Sequence, residues 1–280
     1  MIERPLAPFG RRLLTVTAND PLGSYRVLRA ADPDGPRPLA GQFAMLAAAE
    51  RWGAGEDERP YLPRAFSYTR FEHGEAYFLL EDVGPGTRRL CELREGDGLW
   101  LLGPLGQGFE APAEDRRAVL VGGGVGIAPL AIWRKALAGR GEAVRVLLGF
   151  RDSPHAEGAA LFGVSGEPGQ AGLMALASDD GSVGHHGFVT DLLSVELDRD
   201  PEATVYACGP PPMLEAVRTL CAERGVRAQL ALEAGMACGF GACYGCVVPT
   251  REGYLRVCVD GPVIDASLLE NVVEQAGGRA

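Results

Sequence analysis

The stretch Ala118–Trp133, AVLVGGGVGIAPLAIW, decides the fold. It opens on an apolar run, continues through glycines at 122, 123, 124 and 126, and reaches Pro129 before a second apolar run. A short Val- and Leu-rich run bounded by glycines fits a buried strand. Proline suits the first turn of a helix, where its missing N–H is not needed. Glycines between a strand and a helix let the backbone close on a phosphate, whose charge is stabilised by free N–H groups and the helix dipole. Gly122, Gly123, Gly124 and Gly126 are therefore expected to hold the pyrophosphate of a dinucleotide, NAD or NADP. The pattern departs from G-x-G-x-x-G because Ile127 stands at the third glycine, so a plain tight turn is the alternative.

Downstream, apolar runs alternate with helical segments: VRVLLGF, GLMALAS, ATVYACG and QLALE, separated by stretches such as PLAIWRKALAG and PPMLEAVRTLCAERG. Strand and helix in steady alternation imply right-handed crossovers, hence a five-stranded parallel α/β domain over residues 114–227. Cys208, Gly209 and Pro210, in VYACGPPPM, are expected at the carboxyl edge of that sheet, where such folds bind ligands; a small buried thiol is the other reading of Cys208. After the second strand, Arg151 stands beside Asp152; the acid disfavours a 2′-phosphate and the arginine is able to accept one. Asp179 and Asp180 have no assigned step, and His185 and His186 read as exposed loop residues.

Upstream, RLLTVTA, YRVLRAA, GQFAMLA, FSYTRF, EAYFLLEDV and GLWLLGPLG are separated by Gly, Pro and Asp clusters. Six short strands so spaced predict an antiparallel barrel or sandwich over residues 1–113, with the polar APAEDRR as its boundary. Arg64, Phe66 and Ser67 put a cation, a ring and a hydroxyl on one strand, and VGPGT puts Gly86 and Thr87 at a helix start. A flavin dinucleotide needs such parts: charge for its pyrophosphate, an apolar surface for its ring and a hydrogen bond near the reactive nitrogen.

The chain has 280 residues, 46% hydrophobic and 23% charged, which fits two or three folded domains and excludes a disordered chain. A net charge of −10 without clustered Lys and Arg argues against nucleic acid as a partner. The first twenty residues lack the apolar core of a signal peptide and no apolar run reaches membrane-spanning length, so a cytoplasmic protein without a membrane partner is expected. Seven cysteines in such a chain are not a disulfide framework. Cys238, Cys243, Cys246 and Cys258 form C-x4-C-x2-C-x11-C, the ligand spacing of a plant-type [2Fe–2S] cluster. Gly239, Gly241 and Gly245 let amide N–H groups approach the sulfurs. Structural zinc is the rival, although it prefers paired C-x2-C knuckles. Residues 228–280 are thus expected to form a small C-terminal [2Fe–2S] domain.

The order R-x-[aromatic]-S, GGGVGIAP, CGPPPM resembles the ferredoxin reductase superfamily, and LEAGMACGFGACYGCVV followed by Cys258 resembles the electron-transfer subunits of the class 1B dihydroorotate dehydrogenases over nearly the whole chain. The resemblance implies FAD on the barrel: Arg64, Ala65, Phe66 and Ser67 as its first segment, Leu79, Leu80 and Glu81 as its second, Gly86 and Thr87 as its third. Arg64 would pair with the flavin phosphates; Ser67 and Cys208 would act at hydride transfer, facing the isoalloxazine and the nicotinamide. Ala65 stands where the family often has Pro, and Glu81 puts an acid beside an anionic ligand, which implies a backbone contact there. A hydride carries two electrons and an iron–sulfur cluster accepts one, so a flavin belongs between them.

The implied activity passes electrons from the FMN of a partner subunit that oxidises dihydroorotate, through [2Fe–2S] and FAD, to NAD+ in pyrimidine (UMP) biosynthesis. The implied assembly is a heterotetramer of two of each subunit. Phe240, Tyr244, Val247 and Val248 are expected to contact the partner or shield the cluster. The alternatives are a related sulfide dehydrogenase, hydrogenase or ferredoxin–NADP reductase subunit, and, outside enzymes, a zinc-bearing interaction module on a reductase scaffold.

Overall fold

The computed structural model describes residues 10–53, 60–113, 116–142, 144–163 and 173–272. The expected domain ends at residues 1–9 and 273–280, and Glu114 and Asp115 of the boundary stretch, lie outside the described residues.

Strands β1 (Arg12–Leu22), β2 (Tyr25–Ala31), β3 (Phe43–Ala48), β4 (Arg64–Glu72) and β5 (Glu75–Leu80), then helix α1 (Pro85–Cys91) and strand β6 (Gly98–Leu105), build the first unit. The six strands close as an antiparallel barrel in the order β1-β2-β5-β4-β3-β6. Period-two alternation turns Leu14 and Val16 inward from β1, where they meet Leu28, Leu46, Tyr68, Phe78, Leu80, Leu99 and Leu101. Leu90 of α1 joins this interior. Closure leaves no free edge, which a sheet of such short strands needs.

The second unit runs β7 (Ala118–Gly123), α2 (Ala128–Ala138), β8 (Val144–Phe150), α3 (Ser153–Ala156), β9 (Met174–Ser178), β10 (His185–His186), α4 (Val189–Arg199), β11 (Thr204–Cys208), α5 (Pro211–Arg224) and β12 (Arg227–Ala231). The predicted five parallel strands are present in the order β9-β8-β7-β11-β12. Two additions widen them. His185 and His186, read from sequence as loop, are exposed but pair with β9 as the two-residue β10. The second addition comes from the cysteine segment, which forms the hairpin β13 (Val247–Thr250) and β14 (Gly253–Arg256) and then β15 (Val263–Asp265), antiparallel to β12. The expected division at 227/228 falls at the first residue of β12, inside the hydrogen-bonded sheet. Among the described residues no helix is long and apolar enough to cross a membrane.

The chain winds from β7 outward to β8 and β9, then returns to β11 and β12 on the other side, so the winding reverses between β7 and β11. Open α/β sheets place their ligand crevice at such a reversal. Tyr25, Leu79, Phe109, Trp133 and Tyr206 seal the barrel to this sheet. A separate core joins Phe43, Met45 and Leu105 of the barrel to Cys246, Val248, Val257 and Cys258, so the cysteine segment packs on barrel and sheet together.

Candidate functional site

The cysteine loop is shaped by backbone that only certain residues tolerate. Gly239 and Gly241 lie at φ +80° and +88°, and a Cβ on them would come within 2.5 Å of Met45 Cγ and 2.7 Å of Val259. Tyr244, between two ligand positions, also has φ 58°, an uncommon conformation for a residue with a large side chain. A Cβ on Gly245 would meet only Cys243 Sγ at 3.5 Å and the Gly235 carbonyl oxygen at 3.8 Å, ordinary contacts, and its N–H donates to Cys243 Sγ at 3.4 Å.

The sulfurs gather in two pairs. The N–H of Cys243 donates to Cys238 Sγ at 3.4 Å, and the N–H of Cys258 donates to Cys246 Sγ at 3.5 Å. Burial works against the Cys238 thiolate, but N–H groups of Phe240, Cys243 and Ala242 bring its pKa down to about 7. Burial and the neighbouring Cys246 push Cys258 up to about 12. Among the described residues no three Cys, His, Asp or Glu side chains converge as around a single ion. One tetrahedral zinc asks for a foursome, whereas two irons sharing four thiolates are served by two pairs. The residues present fit the [2Fe–2S] cluster, with Cys246 and Cys258 buried and Cys243 exposed.

The barrel brings its own candidates to the same side. Ser67, Phe66, Ala65 and Arg64 on β4 pair with Phe43, Ala44, Met45 and Leu46 on β3. Met45 is the residue under Gly239, so the cysteine loop lies one strand, about 5 Å, from the RAFS strand. Arg64 reaches α1: a Cβ on Gly86 would lie 2.5 Å from Arg64 Nε, and Arg64 Nη1 donates to the Leu62 carbonyl at 2.6 Å. Thr87 Oγ1 accepts from the N–H groups of Val83 and Gly84, at 2.9 and 3.0 Å. Leu79 and Leu80 turn their side chains into the cores, leaving backbone for any contact outside.

At the crevice Gly122 pairs with Cys208 across β7 and β11. A Cβ on Gly126 would lie 2.6 Å from Gly209 Cα, and one on Gly123 would lie 2.5 Å from Met213 Sδ and 3.1 Å from Pro210. The two predicted loops are thus in contact. Gly124, at φ +53°, faces open space, and a 3-10 turn over Gly124–Ile127 separates the strand from α2. Burial, with Glu233 nearby, pushes the Cys208 thiol up to about 12, so it is a neutral thiol and a poor nucleophile.

The model of the iron–sulfur cluster binding domain of dihydroorotate dehydrogenase B matches residues 233–270, and that of the oxidoreductase NAD-binding domain matches residues 120–219. The chain is similar to the dihydroorotate dehydrogenase B (NAD(+)) electron transfer subunits of Geobacillus kaustophilus, 42% identical over 81% of this chain and 84% of that one, and of Caldanaerobacter subterraneus subsp. tengcongensis, 37% identical over 82% and 86%. It belongs to this family. Among solved structures, this electron transfer subunit superposes on the NADH-dependent reduced ferredoxin-NADP oxidoreductase studied for flavin-based electron bifurcation, with TM-score 0.79 and 25% identity over 97% of this chain and 95% of that one. It shares the fold of the ferredoxin reductase in carbazole 1,9a-dioxygenase, with TM-score 0.66 and 24% identity over 79% and 68%.

Sequence reasoning about this electron transfer subunit missed the joint between barrel and sheet. His155 is buried, its Nδ1 2.5 Å from Asp152 Oδ1 and its Nε2 2.7 Å from Arg151 Nη2 and 3.4 Å from Glu81 Oε1. Its ring meets Tyr25 edge-on at 5.4 Å. The ring is thus held between the Asp152 carboxylate on its Nδ1 side and Arg151 with Glu81 on its Nε2 side. Asp152 also caps α3 by accepting from the His155 N–H, and its hydrogen bonds from His155 lower its pKa. The signal was a capping acid three residues before a histidine, which marks a helix start without revealing what lies across the joint. Asp179 and Asp180 follow β9 in an exposed turn, where Asp180 accepts from Ser182.

Proposed function

We propose that this subunit links oxidation of dihydroorotate to orotate, performed by an FMN-bearing catalytic subunit, to reduction of NAD+, in pyrimidine biosynthesis. The observation that carries the reading is the seat of Gly239 on Met45, one strand from Arg64–Ser67, which supports electron exchange between a cluster in the cysteine loop and a flavin on that strand. When bound, FAD supplies the exchange between one-electron and two-electron chemistry, and the cluster supplies one-electron transfer.

The chain's residues would divide the work as follows. Arg64, for whose guanidinium Gly86 leaves room, binds the flavin pyrophosphate, and Thr87 holds the turn beside it. Ser67 and Phe66 orient the flavin ring, Ala65 leaves the exposed side of β4 open, and Leu79, Leu80 and Glu81 contribute backbone. Gly122, Gly123, Gly124 and Gly126 with Gly209 and Pro210 form the NAD crevice, and Cys208 positions the nicotinamide as a neutral thiol. Asp152, turned to His155 and Arg151, favours NAD over NADP. Three units, residues 1–113, 114–227 and 228–280, carry FAD, NAD and the cluster.

The catalytic subunit docks where Cys243 is exposed beside Phe240, Tyr244 and Val247. Val248 is buried, so its part is shielding and not contact. Two copies of each subunit make the heterotetramer. Seven cysteines, four of them read as cluster ligands and three as thiols, suit a reducing, cytoplasmic compartment.

The test mixes this chain with the dihydroorotate-oxidising subunit of the same source and follows NAD+ reduction, with iron, acid-labile sulfide and zinc measured per chain. Dihydroorotate-dependent NADH formation with about two irons and two sulfides supports the reading. Separate elution and no NADH turn the assignment to a sulfide, hydrogenase or ferredoxin partner. Stoichiometric zinc without sulfide turns it to the interaction module.

A further inference from the structure

Arg256 ends β14, two residues before the last cysteine. Its backbone N–H donates to Asp260 Oδ2 at 2.9 Å, and its Nε lies 3.6 Å from the same oxygen. The guanidinium is part-buried against the cysteine loop. Its Nη1 is 3.5 Å from the Gly241 carbonyl oxygen, and its Cζ stands 5.6 Å from the Tyr244 ring centre, within cation–π range. One side chain on the strand leading to Cys258 therefore touches the two loop residues with left-handed backbone that flank Cys243.

The peptide groups around Gly241 give this contact a chemical consequence. Backbone hydrogen bonding from Gly241 favours the Cys258 thiolate and from Ala242 the Cys238 thiolate, and the next N–H, that of Cys243, donates to Cys238 Sγ at 3.4 Å. The Gly241 carbonyl and the Ala242 N–H belong to one peptide unit. A cation at the oxygen end of that unit polarises it and strengthens the N–H at the other end. Hydrogen bonds to the sulfurs and nearby charge both set the potential of an iron–sulfur centre. A centre that becomes more negative on reduction is favoured in its reduced form by both effects. Asp260 opposes part of the charge, which makes the ion pair an adjustable source of field.

We propose that Arg256 is a positioning residue that raises the reduction potential of the cluster by holding the Gly241 peptide and the Tyr244 ring from behind. The inference rests on the reading that the four cysteines hold a [2Fe–2S] cluster. The test is an EPR-monitored redox titration of the holoprotein and of Arg256→Gln, Arg256→Lys and Asp260→Asn, with iron and sulfide measured on each sample.

At a fixed poise, Arg256→Gln is expected to show about a tenfold lower ratio of reduced to oxidised cluster, a downward shift of about 59 mV for one electron. Arg256→Lys restores most of that loss, and Asp260→Asn, whose amide oxygen still accepts from Arg256, shifts the midpoint upward. A fully loaded Arg256→Gln with the wild-type midpoint overturns the proposal. If Arg256→Gln is isolated without iron, Asp260→Asn decides, and an unmoved or lowered midpoint there overturns it. Absence of iron and sulfide from the wild-type protein instead removes the cluster reading itself.

Discussion

The two glycine-rich loops of this molecule are built on opposite plans. In the loop at 122–126 the glycines make way for the neighbouring loop: Gly126 lies against the Gly209 backbone, Gly123 against the side chains of Met213 and Pro210, and the unencumbered Gly124 faces outward. In the loop at 238–246, Gly239 and Gly241 are pressed onto Met45 and Val259 with left-handed backbone, and the N–H groups turn inward to sulfur. The first plan leaves its working space outside the protein's own atoms, which suits a dinucleotide that comes and goes. The second folds around its own sulfurs, burying Cys246 and Cys258 and leaving Cys243 at the surface, which suits a resident cluster.

The contrast is broken most severely at the enclosed loop. Cys246→Ala removes a buried ligand and is expected to abolish the cluster, with iron and sulfide falling to background while NADH still reduces the flavin. If flavin reduction is lost as well, the two loops are not independent. Arg64→Ala tests the strand between them: losing a charge-assisted contact of about 1.5–3 kcal/mol weakens FAD binding roughly ten- to a hundredfold. Flavin fluorescence titration measures the loss, and the cluster's visible absorption should not change.

A matched pair of alanines sharpens the comparison. Gly124→Ala, at φ +53° with nothing within 4 Å, is expected to cost only the backbone strain of about 1–2 kcal/mol. Gly239→Ala adds a collision with Met45 and should lower the midpoint of thermal unfolding further. Equal shifts would mean that Met45 yields freely. The smallest effect concerns Cys208. With its pKa raised to about 12, the thiol stays mostly protonated up to about pH 11, and its alkylation rate should still climb between about pH 9 and pH 11, where an ordinary thiol has levelled off. Mass-resolved alkylation at several pH values reads this directly.

What the sequence made legible was local. The strand, glycines and proline of 118–133 specify their turn among neighbours, and cysteine spacing states a ligand pattern wherever the chain goes. What it concealed depended on distant partners. Val-Ile-Asp at 263–265 is too short to announce a strand and becomes β15 only because β12 offers unpaired groups. Glu81 and His155 meet across the joint of two units, and neither carries a mark of the other. Val247 and Val248 read alike, as partner contact or as shield of the cluster, and strand alternation divides them by exposing the first and burying the second. Tyr244 resembles any aromatic until its φ of 58° places it in a turn dictated by the cysteines on either side.

The pairing of β15 with β12 also protects the molecule. Without it, residues 229–231 would end the sheet as a bare row of N–H and C=O groups on an apolar strand, the sort of margin along which chains stick to one another. Gln107 ties the same return to the barrel, its backbone N–H meeting the Gly261 carbonyl at 2.5 Å and its side chain the Val259 carbonyl at 3.0 Å. A version shortened after residue 231 would therefore forfeit more than its iron: it would expose an adhesive seam, and its fate in a crowded cell would be set by self-association before redox chemistry came into question.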